Sequence, residues 1–170
     1  MKESKPMDAV TPEFTERMIS LDRVARVVKG GRRFRFRAVV VVGDGLGRVG
    51  VGVAKAGDVP TAVSKASAVG AKNMVTIQMN GTTINHEIKS KFGGAHVFMK
   101  PAPEGTGVIA GGAVRSVLEI AGVRDVFTKS LGSTNKINNA YATLQALRSL
   151  QHDEVAHEEP AKKAKKEVTA

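Results

Sequence analysis

The sequence contains no cysteine and no tryptophan, and only 4% of its residues are aromatic. Without cysteine there is no disulfide scaffold, no thiolate metal site and no cysteine nucleophile. No run approaches the roughly 18 apolar residues of a membrane span, and the polar segment Met1–Pro12 lacks the apolar core of a secretion signal. We therefore expect a soluble cytoplasmic protein with no membrane partner. We also expect too few rings for a platform that stacks single-stranded bases.

Positive charge is what the sequence has in excess. Lysine and arginine number 26 against 16 acidic residues, which gives a net charge of +10 and a pI near 10.1. The hydrophobic fraction of 42% is sufficient for a folded core. A basic globular chain of this kind indicates a polyanionic partner, most often a nucleic acid.

The charge is concentrated in one short segment. Between residues 23 and 37 there are seven basic residues and no acidic residue: Arg23, Arg26, Lys29, Arg32, Arg33, Arg35 and Arg37. Like charges at this density repel one another, so the segment is typical of a surface that a polyanion neutralises. The alternative interpretation is a solvated basic strand face.

Periodicity predicts an α-β-β-β-α module in the first half. The predicted elements are a short helix at Glu13–Ser20, strands at Ile19–Val28, Arg32–Val42 and Arg48–Lys55, and a helix at Asp58–Asn73. In the second strand Phe34, Phe36, Ala38, Val40 and Val42 alternate with Arg33, Arg35 and Arg37, which assigns the phenylalanines to the core side. On the predicted helix, Lys65 and Lys72 share the face opposite the apolar stripe.

Glycines mark the turns and two unusual strand positions. Gly30 and Gly31 predict a tight hairpin that needs positive φ angles. A second turn is predicted over Gly43–Gly47. Gly50 and Gly52 weaken the third strand, which suggests close approach by another molecule.

The second half predicts a β-β-β-α-β-α module. Its predicted elements are strands at Met74–Met79, Thr82–Ile88, Ala95–Lys100 and Val123–Lys129, a loop at Lys89–Gly94, and helices at Ala110–Ala121 and Asn135–Leu150. We accordingly predict a flexible tail at residues 1–18, domains at 19–74 and 75–150, and a disordered charged tail at 151–170.

Two glycine patterns resemble nucleotide-binding loops. Gly45-x-Gly47-x-x-Gly50 precedes a strand rather than a helix and lacks the required helix N-terminus. Gly105-x-Gly107-x-x-Ala110 precedes a helix, and Asp125 follows twenty residues later. A small nucleotide-binding enzyme using Gly105–Ala110 is therefore the alternative function, against local turn geometry or an anion site made of backbone N–H groups. The histidines lack metal-ligand spacing, and we expect no cofactor, no metal and no catalytic residue.

Four long motifs in order resemble the bacterial-type small-subunit ribosomal protein five family. They are Lys29–Phe34, Val41–Gly50, Val97–Ala113 and Gly132–Asn135, and the resemblance covers about Ile19–Leu150. It implies a double-stranded-RNA-binding-like N-terminal module and a C-terminal module with a left-handed β-α-β crossover. It also implies a structural role in the small ribosomal subunit, near the messenger RNA entry side, beside small-subunit proteins four and eight. An influence on decoding accuracy through protein four is implied as well.

The charge pattern, the glycine turns and the family resemblance together predict the contact residues. For ribosomal RNA they are Arg23, Arg26, Lys29, Gly30, Gly31, Arg32, Arg33, Arg35, Arg37, Arg48, Lys55, Lys65, Lys72, Ser133, Thr134 and Asn135. For a neighbouring protein they are Pro101, Glu104, Gly105, Thr106 and Gly107. The chemistry expected of these residues is charge neutralisation and shape recognition, because a thin basic hairpin contacts phosphate and sugar more readily than base edges.

Overall fold

The computed structural model describes residues 14–150. Its strands are β1 (Thr15–Val28), β2 (Gly31–Gly43), β3 (Arg48–Ala56), β4 (Val75–Thr76), β5 (Met79–Asn80), β6 (Thr83–Ile84), β7 (Ile88–Phe92), β8 (Ala95–Pro101), β9 (Val108–Ile109) and β10 (Val126–Gly132). The helices are α1 (Val59–Lys72), α2 (Gly112–Ala121) and α3 (Lys136–Ser149). The predicted mixed α and β architecture with two modules is confirmed.

The first sheet has the order β1-β2-β3-β4. The predicted helix at Glu13–Ser20 is wrong for the residues described, because β1 starts at Thr15 and pairs with Gly43 of β2. Phe14 and Met18 have helical spacing but also fit the two-residue period of a strand. Thr15–Met18, expected in the tail, are therefore part of the sheet. The remainder of both predicted tails lies outside the described residues.

The second half of β2 is buried on both faces. Ala38, Val40 and Val42 pack with Ala62 and Ala66 of α1. The intervening Val39 and Val41 join the main core, which includes side chains from α2 and α3. This part of β2 therefore lies between helix α1 and the C-terminal module, and the two modules share one core.

The glycines of β3 make room for helix α1. A Cβ on Gly52 would lie 1.9 Å from the carbonyl oxygen of Ala66, and one on Gly50 would lie 2.2 Å from that of Gly70. Side chains at either position are incompatible with this separation of helix and sheet. The close approach predicted here is real, but the approaching group is the chain's own helix.

The C-terminal module places α2 and α3 on one face of a sheet with the order β7-β8-β10-β9. Strands β9 and β10 are parallel neighbours joined through α2, so the predicted β-α-β crossover is present, and its handedness stays a prediction. Lys89–Gly94 is not a loop, since β7 occupies most of it. The two strands predicted between Met74 and Ile88 are instead shorter pieces, and β4 pairs with β3 in the first sheet. The domain division at residues 74 and 75 stays a prediction.

The loop from Gly43 to Arg48 joins the modules. The N–H groups of Gly45 and Gly47 donate to Ile120 and Ala121 at the end of α2, with N–O distances of 3.1 and 3.0 Å. Asp44 closes the loop by accepting from the N–H groups of Leu46 and Arg48. The predicted hairpin turn is therefore also a docking element.

Candidate nucleic-acid interface

The β1–β2 hairpin extends beyond the rest of its sheet. The last pair between β2 and β3 is Phe36 with Ala56, whereas β1 and β2 continue pairing as far as Val28 and Gly31. We call residues 23–35 the prong. It is a two-stranded ribbon that ends in the turn at Lys29 and Gly30, as the sequence predicted. All its basic side chains are exposed.

The cations of the prong occupy both of its faces. Cross-strand pairs share a face, so Arg26 and Arg33 lie together, with Arg35 next along the ribbon. Lys55 lies beside them, because it pairs with Arg37 at the base of the prong. These four cations line a groove of about 510 Å³ on this face. Such a groove attracts anions, because no carboxylate lines it.

The other face of the prong combines arginine with an aromatic ring. The guanidinium carbon of Arg23 lies 3.9 Å from the centre of the Phe34 ring, and Arg32 pairs with Val27 further out. Phe34 is 47% exposed, so assigning it to the core side was wrong. At Phe34, β2 pairs only with β1, because the pairing between β2 and β3 ends at Phe36. Helix α1 does not extend over the Phe34 ring. Phe36 does pack on the core, as predicted.

Arg37 and Arg48 are occupied within the fold. Arg37 Nη2 lies 2.9 Å from Asp22 Oδ2, and its buried Nε has no hydrogen-bond partner among the described residues. Arg48 Nε lies 2.6 Å from Asp44 Oδ2, at the end of β3 opposite the prong. The structure therefore does not bring Arg48 together with the other predicted RNA ligands.

The remaining predicted RNA-binding residues lie in two separate parts of the structure, helix α1 and the turn before α3. Lys65 and Lys72 are exposed on α1. The turn before α3 is occupied locally, since Asn135 caps the helix by accepting from the N–H of Ile137, and Ser133 accepts from the N–H of Asn135. The predicted N-cap is confirmed. Thr134 is exposed beside it, so a contact there is compatible with the cap.

The loop at Gly105–Gly107 holds an anion that belongs to the chain itself. The N–H of Gly107 donates to Asp125 Oδ1 at 2.9 Å, and those of Gly105 and Thr106 also interact with this buried carboxylate. The bond from Gly107, then that from Thr82, holds the pKa of Asp125 below its ordinary value. A phosphate at this loop would meet the carboxylate.

The nucleotide alternative fails for this reason and for a second one. Strand β9 separates the loop from α2, so the loop does not open onto a helix N-terminus as a dinucleotide site requires. Both of the remaining interpretations describe part of this loop. Thr106 donates from its N–H and from its hydroxyl to the carbonyl oxygen of Pro103, which closes a local turn, and the backbone N–H groups hold Asp125 as an internal anion. Glu104 remains exposed on the outside of the loop, next to the half-buried Thr106.

Sequence reasoning missed one surface entirely. The face of the C-terminal sheet opposite α2 and α3 has no element of the described chain packed over it. Its side chains are Lys89, Lys91, His96, Phe98, Lys100, Ile109, Phe127, Lys129 and Leu131. We call this the open face. The alternation of β8 and β10 is visible in the sequence, but it does not show that these two strands are neighbours in one sheet.

The chain is basic, has two α+β modules and exposes a ribbon of arginines. These features place it in the class of nucleic-acid-binding proteins. The described residues contain no cluster of histidine and carboxylate side chains suited to a metal ion. None of the helices between residues 14 and 150 is long and apolar enough to span a membrane.

Comparison of the sequence with known proteins identifies the family within this class. Residues 14–78 match the N-terminal domain of ribosomal protein S5, and residues 90–159 match its C-terminal domain. A small ribosomal subunit protein uS5 from Idiomarina loihiensis is 51% identical over 148 residues, which cover 87% of this chain and 89% of the relative. The chain belongs to the ribosomal protein S5 family. It is thus a ribosomal protein of the small subunit, and the family expected from the four motifs is confirmed.

Proposed function

We propose that the chain is a structural constituent of the small ribosomal subunit that holds ribosomal RNA through the prong. The observation that carries this proposal is the prong itself, a rigid ribbon with exposed arginines on both faces. Residues 23–35 include no carboxylate, and Asp22, which directly precedes them, is already paired with Arg37. The charge of the prong therefore has to be neutralised from outside.

The mechanism is neutralisation of phosphates in a fixed geometry. Arg33 and Arg35 are two residues apart in an extended strand, which separates their positions by about 7 Å. Each guanidinium can then pair with a different phosphate, and its planar fork allows two parallel hydrogen bonds. A ribbon of this kind recognises the shape of folded RNA more than its base sequence. Exposed Lys65, Lys72 and Thr134 add contacts on other sides of the chain.

The loop from Pro101 to Gly107 is proposed as the contact for a neighbouring ribosomal protein. Asp125 fixes the backbone of the loop from below, which leaves Glu104 and Gly105 exposed on a stiff surface. By family resemblance the neighbour there is small-subunit protein four, with protein eight also adjacent, near the messenger RNA entry region. A stiff contact of this kind can bias an equilibrium between two subunit conformations, and so decoding accuracy, because about 1.4 kcal/mol shifts such an equilibrium tenfold.

Incorporation into subunits tests the role of the prong. A triple variant, Arg26→Gln with Arg33→Gln and Arg35→Gln, removes three charges from one face of the prong. A control variant, Arg17→Gln with Arg115→Gln and Arg124→Gln, removes the same charge elsewhere. We expect the prong variant to fold normally but to be depleted from small subunits in sedimentation, while the control is incorporated. Equal incorporation of both variants would overturn the proposal.

Decoding accuracy tests the role of the loop. Glu104→Lys reverses an exposed charge at the proposed contact, and Glu87→Lys makes the same change at another exposed site. We expect Glu104→Lys alone to change stop-codon and missense readthrough in ribosomes that assemble normally. If both variants leave accuracy unchanged, the loop serves only to position β9 and α2.

A further inference from the structure

The open face of the C-terminal sheet has the chemistry of a second binding surface. Of its nine side chains, four are lysines and none carries a carboxylate; the acidic residue Glu87 precedes β7 at one end. Eight of the nine are exposed, with Phe98 only partly so. The open face thus carries only positive charge. It belongs to the C-terminal module, so its charge is separate from that of the prong.

Apolar side chains alternate with these charges. Phe127, Leu131 and Ile109 are 40%, 49% and 51% exposed. Soluble proteins rarely expose large apolar side chains in a contiguous group without a partner for them. The lysines beside them exclude a purely apolar partner. The combination of aromatic rings and ammonium groups fits an anionic ligand that also has flat apolar faces.

The geometry of the face specifies that ligand further. Phe98 and Phe127 are one strand apart, on β8 and β10, and Phe98 pairs with Lys129 while Phe127 pairs with Lys100. Each phenylalanine therefore has a lysine as its cross-strand partner. The Nζ atom of Lys89 lies 5.4 Å from the centre of the Phe98 ring, so this ring interacts with a cation of the same face.

We propose that the open face binds unpaired nucleotides of RNA, with bases stacked on Phe98 and Phe127 and phosphates paired with the lysines around them. Stacking on the rings of an open sheet is a general means of binding single-stranded RNA. The low aromatic content of the chain predicted that no such platform exists, but aromatic content is an average over the whole sequence and does not show where the rings lie. The fold places two of the six phenylalanines next to each other on one exposed face.

This site differs from the prong in the form of RNA it takes. The prong has arginines for the backbone of folded RNA, and its one exposed ring, Phe34, is covered by Arg23. The open face has two rings on which bases can stack. The inference therefore does not depend on the function proposed for the prong.

Binding of two RNA probes to the full chain tests the proposal. One probe is a fluorescent single strand of about 12 nucleotides without self-complementarity, and the other is a duplex of about the same length. The variant is Phe98→Leu with Phe127→Leu, which keeps apolar cover but removes both rings. Its control is Phe92→Leu, a ring of the same sheet that lies on the opposite side from the open face, where it is 41% exposed and contacts Tyr141.

We expect the ring variant to bind the single strand about tenfold or more weakly while its affinity for the duplex changes less than about twofold. The control should bind both probes as the unchanged chain does. The prong triple variant should lose duplex affinity instead, so a failure of the prong function is visible separately. Equal affinity of the ring variant and the unchanged chain for the single strand would overturn the proposal, and would leave a protein neighbour as the occupant of this face.

Photo-crosslinking distinguishes direct contact of Phe98 and Phe127 with RNA from a purely structural role of these two rings. A single strand containing 4-thiouridine should crosslink to peptides that carry Phe98 or Phe127, and the crosslinks should disappear in the ring variant. Crosslinks confined to residues 23–35 would overturn the proposal even if the affinities differ.

Discussion

The two ends of the β1–β2 hairpin consist of the same two strands but have opposite surroundings. At one end, Val39–Val42 are buried between α1 and the C-terminal module. At the other end, no helix or strand between residues 14 and 150 covers either face of the prong, and its arginines are exposed. The strands are continuous, so the buried end acts as a rigid base that holds the charged end in position. A substitution should therefore affect folding at the base and RNA binding at the prong.

The largest effect is expected at the base. In Gly52→Ala the new methyl group would lie 1.9 Å from the carbonyl oxygen of Ala66, so α1 has to move away from the sheet. We expect a loss of about 3 kcal/mol or more in the free energy of unfolding. The matched control is Gly57→Ala, where a Cβ meets nothing within 4 Å. Urea denaturation of both variants is the measurement, and a Gly52→Ala variant as stable as the control would contradict the shared-core account.

The two neighbouring glycines at the turn of the prong differ in backbone conformation. Gly31 has a φ of 133°, whereas Gly30 does not have a positive φ, so the sequence prediction of positive φ is confirmed only for Gly31. A Cβ has open space at both positions. We expect Gly31→Val to cost about 1–3 kcal/mol of stability through backbone strain, and Gly30→Val to cost much less.

The RNA affinities of the Gly30→Val and Gly31→Val variants distinguish the effect of backbone strain from the loss of a contact with RNA. If the tip approaches RNA closely, Gly30→Val should weaken binding to folded ribosomal RNA although its melting temperature is almost unchanged. If instead only Gly31→Val weakens binding, and in proportion to its loss of stability, the tip has no contact of its own.

A smaller and pH-dependent effect is expected at the loop held by Asp125. Its pKa is lower in the folded chain than the ordinary 3.8, so folding favours the ionised form. The stabilisation is therefore complete above about pH 4 and decreases as the pH falls towards the folded pKa. We expect Asp125→Asn to be less stable at neutral pH, and the difference from the unchanged chain to shrink below about pH 4. A difference that stays constant down to pH 3 or so would show that the charge of Asp125 is not what holds the loop.

Local patterns predicted the parts of the fold that local physics determines. Alternation located β2 and β3, paired glycines located the turn of the prong, and Asp58 with Pro60 marked the start of α1 correctly. The first part of β1 was misjudged because the spacing of Phe14 and Met18 suits two periods at once.

The candidate sites show the same division between local and long-range information. The arginine ribbon was predicted because its charges are adjacent in the sequence. The anion at Gly105–Gly107 is Asp125, a contact across 18 residues to Gly107, and no local pattern specifies it. The burial of Val39 and Val41 under the C-terminal module is likewise a long-range contact. The open face required the order β7-β8-β10-β9, which brings Phe98 and Phe127 onto neighbouring strands.

The salt dependence of ribosomal RNA affinity shows whether the prong is the RNA-binding element, when it is measured in the unchanged chain and in the triple variant Arg26→Gln, Arg33→Gln and Arg35→Gln. If about six phosphates are neutralised, affinity should fall on the order of a thousandfold between about 50 and 200 mM salt. Removing three cations should reduce the slope of log affinity against log salt by about 2 to 3. The control variant Arg17→Gln, Arg115→Gln and Arg124→Gln should keep the original slope. A slope that is unchanged in the prong variant would contradict the assignment of RNA binding to the prong.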